Sequence, residues 1–347
     1  MRADAVCGVE AVSTGTTEPL SGTSRLNKED AMPTKKIIAV VGATGAQGGG
    51  LVRAILNDPS GGFSVRAITR DVTSDKAKAL AKLGAEVVAG DVDDIESLKR
   101  AFKGAYGAYC VTFFWAHFSP DKERAEAVSM AAAAKDAGVQ HAIWSTFEDT
   151  RKFIPLTDNR MPTLQGRYKV AHFDAKSEAD HVFTDLGVPT TFLLTSFYWE
   201  NLIYFGLGPK KGPDGKLAIT FPMGDKKLPG ISAEDIGKCA YGIFKRGREF
   251  IGKTVGVAGE HLTGAQMAAA LTKALGKDVH FNDVPADVYR GFGFPGAEDM
   301  GNMFQFKRDF EKEYCGARNL DVVRTLNPEL LTFEKWLAAN GSRIPLE

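Results

Sequence analysis

The chain reads as an α/β protein, a doubly wound parallel sheet followed by a smaller α/β C-terminal domain. Three observations carry this. A hydrophobic run meets a glycine turn and then a helix start at residues 36–50, KIIAVVGATGAQGGG. Strand-like and helix-like segments alternate from there to about residue 194, several helices closing on a glycine. The 347 residues suffice to bury a sizeable core, and no stretch reaches the ~18 consecutive apolar residues that span a bilayer.

Composition narrows the function classes. Lys plus Arg, 43 residues, balance 43 Asp plus Glu, so there is no general electrostatic pull toward nucleic acid or a membrane surface. Cys7, Cys110, Cys239 and Cys315 are far apart without a CxxC pair, as expected of reduced thiols in an intracellular protein. The six histidines show no HExxH or other ligand spacing, and no metal is expected. Residues 1–34, rich in Ser, Thr and Gly, read as a flexible tail. They lack the apolar core of a secretory signal and the arginine pattern of a mitochondrial presequence. The expected location is the cytoplasm, with the nucleus also open to it, and the expected state is a monomer or homodimer.

The first strand, 37–41, runs into Gly42, Gly45 and Gly48, a GxxGxxG spacing. A helix follows at 47–57, with Leu51, Val52 and Ile55 on its packed side. Unpaired amides and the helix dipole favour an anion there. In a strand–helix–strand unit such a turn cradles a dinucleotide pyrophosphate, the Rossmann arrangement. Gly42, Ala43, Thr44, Gly45, Ala46, Gln47 and Gly48 are the expected phosphate-binding residues. The second strand, 63–69, ends at Arg70 and Asp71, and the next helix stops at Gly84. The third strand is 85–89. A short helix at 95–102, with Asp93 and Asp94 at its start, leads to the fourth strand at 107–111. Ser119 caps and Pro120 opens an alanine-rich helix ending near Gly138. The fifth strand is 140–145, a helix spans 167–180, and the sixth strand is 190–194.

Ligands in such sheets lie beyond the carboxyl ends of the strands. Arg70 suits the 2′-phosphate of NADP, where NAD sites use an acidic residue, provided that Asp71 points away. The alternative is a solvated Arg-Asp pair. Lys76 offers a second phosphate contact. Asp91 and Val92 suit the adenine. Thr112, Phe113 and Phe114 line the middle of the cofactor, or the two phenylalanines simply pack in the core. Tyr168, His172 and Lys176 recur at i, i+4 and i+8 and share a helix face. Lys176 there either binds ribose hydroxyls or is a solvated charge. Tyr198, Trp199, Glu200 and Asn201 form an aromatic-rich strand exit suited to covering the nicotinamide end.

Several stretches carry a family resemblance: VVGATGAQGG at 40–49, VRAITRD at 65–71, AEVVAGDVDD at 85–94, VTFFW at 111–115, AHFDAKSE at 171–178, ENL at 200–202, GFPGAEDMGNMFQF at 293–306 and LNPELLTFEKWL at 326–337. The chain resembles the NmrA-like family of atypical short-chain dehydrogenase/reductase proteins from about residue 35 onward, in particular its redox-sensing members. The resemblance implies NADP(H) held by residues 42–48, Arg70, Asp91, Val92, 112–114, Lys176 and 198–201. It also implies a sensor of the NADPH/NADP balance that engages a regulatory protein partner with little or no turnover. Classical members of the wider group carry Tyr-x-x-x-Lys. Here His172 stands four residues before Lys176, and Ser145 and Thr146 follow the fifth strand. His172 is then either a surrogate acid or a hydrogen-bonded structural histidine, while Tyr168 lies one turn further off. The alternative function is an NADPH-dependent reductase of a quinone-like or other carbonyl substrate.

Beyond residue 201 the sequence predicts a hairpin-like excursion at 206–229, a turn at 223–227, and a helix opened by a Ser232 capping pattern. A strand within 252–258, a helix at 262–275 opened by Thr263, a strand at 279–284 and helices at 299–314 and 331–340 follow. The expected organisation is a tail (1–34), an NADP-binding domain (35–201) and a smaller substrate- or partner-facing domain (202–347), with 249–258 returning to the main sheet. Phe292, Phe294, Met300 and Met303 either line the intervening cleft or pack in a core.

Overall fold

The first strand, β1 (Lys36–Val40), shows why a parallel sheet forms here. Ile38 and Val40 face one buried core, and Ala39 and the following Val41 face the other. The computed structural model describes residues 35–212 and 214–346, so the expected tail and Cys7 lie outside the described residues. The chain continues through α1 (Ala46–Leu56), β2 (Phe63–Thr69), α2 (Asp75–Lys82), β3 (Glu86–Ala89), α3 (Ile95–Phe102) and β4 (Gly107–Cys110). Next come α4 (Pro120–Asp136), β5 (His141–Thr146), α5 (Ala171–Asp185) and β6 (Thr190–Leu194). Local chemistry sets most boundaries. Ser74, Asp94 and Ser119 accept from first-turn amides of α2, α3 and α4, and Pro120 fills the first position of α4.

The remaining elements are β7 (Phe197–Tyr198), α6 (Asn201–Tyr204), β8 (Lys210–Lys211), β9 (Leu217–Thr220), β10 (Lys227–Ile231), α7 (Ala233–Lys245), β11 (Thr254–Gly256), β12 (Glu260–Thr263), α8 (Gly264–Leu275) and β13 (Val279–Asn282). Helices α9 (Ala286–Arg290), α10 (Ala297–Asp309), α11 (Glu311–Gly316), α12 (Leu320–Leu326) and α13 (Phe333–Asn340) complete them. The main sheet has seven strands in the order β3-β2-β1-β4-β5-β6-β11, and every pairing is parallel. The strand order reverses between β1 and β4, which opens a crevice at their carboxyl ends. Two three-stranded sheets, β12-β10-β7 and β13-β9-β8, surround an aromatic core that includes Trp199, Phe221, Phe304, Phe333 and Trp336.

Four expectations need correction. The helix expected at 167–180 runs from Ala171 to Asp185. The Asp174 carboxylate accepts from the amides of Lys169 and Val170 and from Thr150, and Val170, just before the helix, is extended. Tyr168 therefore precedes the helix and shares no helical face with Lys176. Ser232 does not cap α7: its hydroxyl donates to Glu200, whose other oxygen accepts from the Ala233 amide. The excursion expected at 206–229 is a hairpin only in β8 and β9, and after its second turn the chain enters β10, which joins β12 and β7. The helix expected at 299–314 breaks at Phe310 into α10 and α11. Beyond residue 201, α7 and α12 as well as β11 lie on the main sheet. Ile236, Ile243, Val323 and Leu326 join the core of β1 and α1, and Arg53 on α1 pairs with Glu234 at 3.0 Å.

Candidate functional site

The crevice is floored by the glycine turn. Gly42 takes the left-handed region at φ 65°, which favours glycine, and its carbonyl accepts from the Gly45 amide at 2.8 Å. A methyl at Gly48 would meet the Gly42 oxygen at 2.4 Å, so turn and helix touch backbone to backbone. Gly45 supplies no side-chain cap and the first turn of α1 has no acidic residue, which leaves its amides free for an anion. Gly42, Gly45 and Ala46 are exposed, Thr44 is half-buried and Ala43 is buried. Gln47 points inward and braces the turn, accepting from the Tyr109 hydroxyl and donating to that of Tyr198.

Arg70 follows β2 directly and is exposed. Asp71 turns away: its carboxylate accepts from the Thr73 amide at 2.8 Å and the Thr73 hydroxyl at 2.6 Å, bonds that hold its pKa below the usual range. Lys76 is exposed on the first turn of α2. Asp91 is partly occupied, accepting from the Asp93 amide at 3.1 Å, and Val92 packs at the edge of the core. Phe113 is 55 % exposed and meets Phe205 edge-on at 6.5 Å. Phe114 is buried against Tyr168, which makes it a packing residue. Burial pushes the Tyr198 hydroxyl up to about 12. Trp199 and Glu200 are drawn elsewhere. The Trp199 indole packs on Phe333 and Trp336, and Glu200 accepts from Ser232, Ala233 and the Trp336 indole. Successive side chains along extended chain face opposite ways, which separates Tyr198 from Trp199. Asn201 opens α6.

Lys176 is buried, 2.6 Å from Glu123 Oε1 and bonded to the Thr112 hydroxyl, with the Trp144 ring 5.1 Å away. Glu123 is fully buried on α4. The sequence shows it only as one of two acidic residues in a helix's first turn, where the dipole alone accounts for it. His117 Nε2 lies 3.4 Å from Glu123 Oε2 and 3.7 Å from Glu126 Oε1. These three side chains come close enough to suit a metal ion. However, the Ser119 amide donates to His117 Nδ1 at 3.0 Å, so the neutral ring carries its proton on Nε2, the atom that would have to ligate. His117 Nε2 and Glu123 Oε2 are both buried without a hydrogen-bond partner among the described residues.

Burial, reinforced by Glu123 and Asp93, pushes the Glu126 carboxyl from 4.5 up to about 7. The native state keeps a proton that the unfolded chain gives up. This contribution to stability is therefore full below pH 4.5 and is lost as the pH rises through about 7. Glu126→Gln is expected to be more stable than the parent at about pH 8, with the gap closing at the acid end. Urea melts at the two pH values measure it.

His172 occupies the first turn of α5, one turn before Lys176. Its ring is 4.8 Å from Trp115, 5.8 Å from Phe114 and 5.9 Å from Phe147. Its Nδ1 bonds to Asp299 Oδ2 on α10. Asp299 also accepts from the Ala171 amide at 2.6 Å and the His172 amide at 3.4 Å. Among the described residues no protein group bonds to Nε2. Tyr168, fully buried with an unpartnered hydroxyl, sits behind Phe114.

The chain is similar to known proteins in sequence and in fold. The model of the NmrA-like family matches residues 34–337. The NmrA-like family domain-containing oxidoreductase FrzB of Cladobotryum sp. is 29% identical over 291 residues, which cover 78% of this chain and 83% of that one. The negative transcriptional regulator NmrA, in a crystal complex with NADP, superposes with a TM-score of 0.70 at 25% identity over 88% of this chain and 95% of that one. Its complex with NAD gives 0.71 at 26% identity over 89% and 98%.

Proposed function

We infer the function from one premise: the chain belongs to the NmrA-like family. We propose that it binds NADP(H) and reduces a quinone-like or other carbonyl compound. The cradle fits that cofactor: close glycine backbones and free α1 amides suit a pyrophosphate, and Arg70, with Asp71 turned aside, suits a 2′-phosphate. The NADP complex of NmrA supports the same choice. Arg70→Ser is expected to weaken NADPH binding roughly 10- to 100-fold and leave NADH binding unchanged, since a charge-assisted fork contributes about 1.5–3 kcal/mol. Titration calorimetry reads both.

The observation that carries turnover is His172, ring held at Nδ1 and free at Nε2, one helical turn from buried Lys176. NADPH, when bound, supplies a hydride to the carbonyl carbon. The His172 imidazolium releases its Nε2 proton to the carbonyl oxygen, giving the alcohol, and recovers a proton from solvent. Lys176, anchored by Glu123 and Thr112, presents positive charge to the ribose side of the site. Phe113 and Phe205 offer apolar surface to a flat substrate.

One observation favours the sensor reading: no phenol stands on α5 a turn before Lys176, and Tyr168 is sealed in the core. A protein that senses the NADPH/NADP balance would show tight binding and a change in partner affinity without turnover. The test is steady NADPH consumption with a panel of quinones and aldehydes. Sustained turnover, lost in His172→Asn, is the expected result. Stoichiometric binding with no consumption across the panel overturns the reductase in favour of the sensor.

A further inference from the structure

We propose that Asp299 is the positioning residue for His172, fixing the imidazole tautomer across an interface that joins the C-terminal helices to the main domain. The proposal deepens the reductase reading and rests on it for its catalytic meaning.

The argument begins with what each Asp299 oxygen does. Oδ1 accepts from the Ala171 amide at 2.6 Å, and Oδ2 takes the His172 amide at 3.4 Å together with the ring Nδ1. An ionised carboxylate only accepts hydrogen bonds, so every partner must donate. The His172 ring proton therefore resides on Nδ1. Nε2 is left as the acceptor in the neutral ring and as the second N–H of the imidazolium, and among the described residues no protein group bonds to it. Asp299 is 7% exposed and His172 is 4% exposed, so water does not compete well for the contact. The rings of Phe114, Trp115, Phe147 and Phe173 limit the imidazole's rotation. The same carboxylate meets the N-terminus of α5, where two backbone amides lack intrahelical partners. It thus ties the helix that carries both His172 and Lys176 to α10.

Asp299→Asn keeps the shorter contact to the helix start, the Ala171 amide, gives up the longer one to the His172 amide, and inverts the group that faces Nδ1. The asparagine carbonyl oxygen has to stay on the Ala171 amide, which requires an acceptor. Its NH2 group then faces Nδ1 and makes that nitrogen accept, moving the ring proton to Nε2. The experiment is a long-range 1H–15N correlation spectrum of the cofactor-free protein labelled on histidine, with His172→Asn used to assign the signals. The parent is expected to show the Nδ1–H tautomer for neutral His172, and Asp299→Asn the Nε2–H tautomer, with similar melting temperatures. Nε2–H in the parent, or Nδ1–H retained in the variant, overturns the proposal. Should the variant not fold, the parent spectrum alone still decides. In turnover, Asp299→Asn is expected to lower kcat by about 100-fold or more, with KM and NADPH affinity unchanged, because an NH2 group facing Nδ1 opposes the doubly protonated ring that releases the Nε2 proton and leaves the binding surface in place. Equal kcat in parent and variant overturns the catalytic role. Absence of turnover in the parent defeats the reductase reading, while the spectra still report on the tautomer.

Discussion

Gly48→Ala is expected to abolish most of the nucleotide affinity of this protein. The added methyl would lie 2.4 Å from the Gly42 oxygen, 2.8 Å from the Gly42 carbonyl carbon and 3.1 Å from the Ala43 Cα. All three are main-chain atoms, so no side-chain rotation relieves the contact. The turn has to move away from α1, and the amides aimed at the pyrophosphate spread apart. A hundredfold loss in NADPH affinity corresponds to about 2.7 kcal/mol, within reach of disrupting several amide–phosphate bonds at once. Overpacking of this kind also costs about 1–3 kcal/mol of stability. Calorimetric titration and a denaturant melt measure the two effects. Gly316→Ala is the control, since a methyl there meets nothing within 4 Å. Equal NADPH affinity in Gly48→Ala and the parent would remove the cradle from the binding site.

Lys176→Met is expected to produce the largest loss of stability and to stop turnover. The ammonium is 2.6 Å from Glu123 Oε1, and Glu123 is fully buried. Removing one partner of such a pair leaves a buried charge uncompensated, at a cost of about 3–5 kcal/mol. The double variant Lys176→Met/Glu123→Gln is expected to recover most of the stability and none of the turnover. A double-mutant cycle by urea denaturation gives the coupling energy. A single Lys176→Met as stable as the parent would mean that the pair contributes nothing.

The glycine turn and the arginine beyond β2 were legible in the sequence. Gly42, Gly48, Arg70 and Asp71 take their places through backbone geometry and strand position, which short motifs encode. The caps of α2, α3, α4 and α8 were equally local, each a Ser, Asp or Thr two or three residues from the amide it satisfies. The surroundings of His172 and Lys176 were less legible. Tyr168 fits a helical spacing with His172 and Lys176, but the buried Asp174 carboxylate takes the Lys169 and Val170 amides and the helix starts only at Ala171. Periodicity cannot register a tertiary hydrogen bond that competes with the helix. Trp199 and Glu200 look like site residues because they follow a strand end, and the aromatic core claims both.

By itself the sequence determined the order of strands and helices, the anion-binding turn and the arginine beyond β2, because each depends on residues close together along the chain. Only the tertiary structure decided which carboxylates serve the site. Asp299 reaches His172 across 127 positions, and Glu123 reaches Lys176 from a different helix. A charged side chain on a helix reads as solvated until the fold removes water from around it. That removal of water makes pairing obligatory, and it turns two unremarked acids into the residues that hold His172 and Lys176 in place.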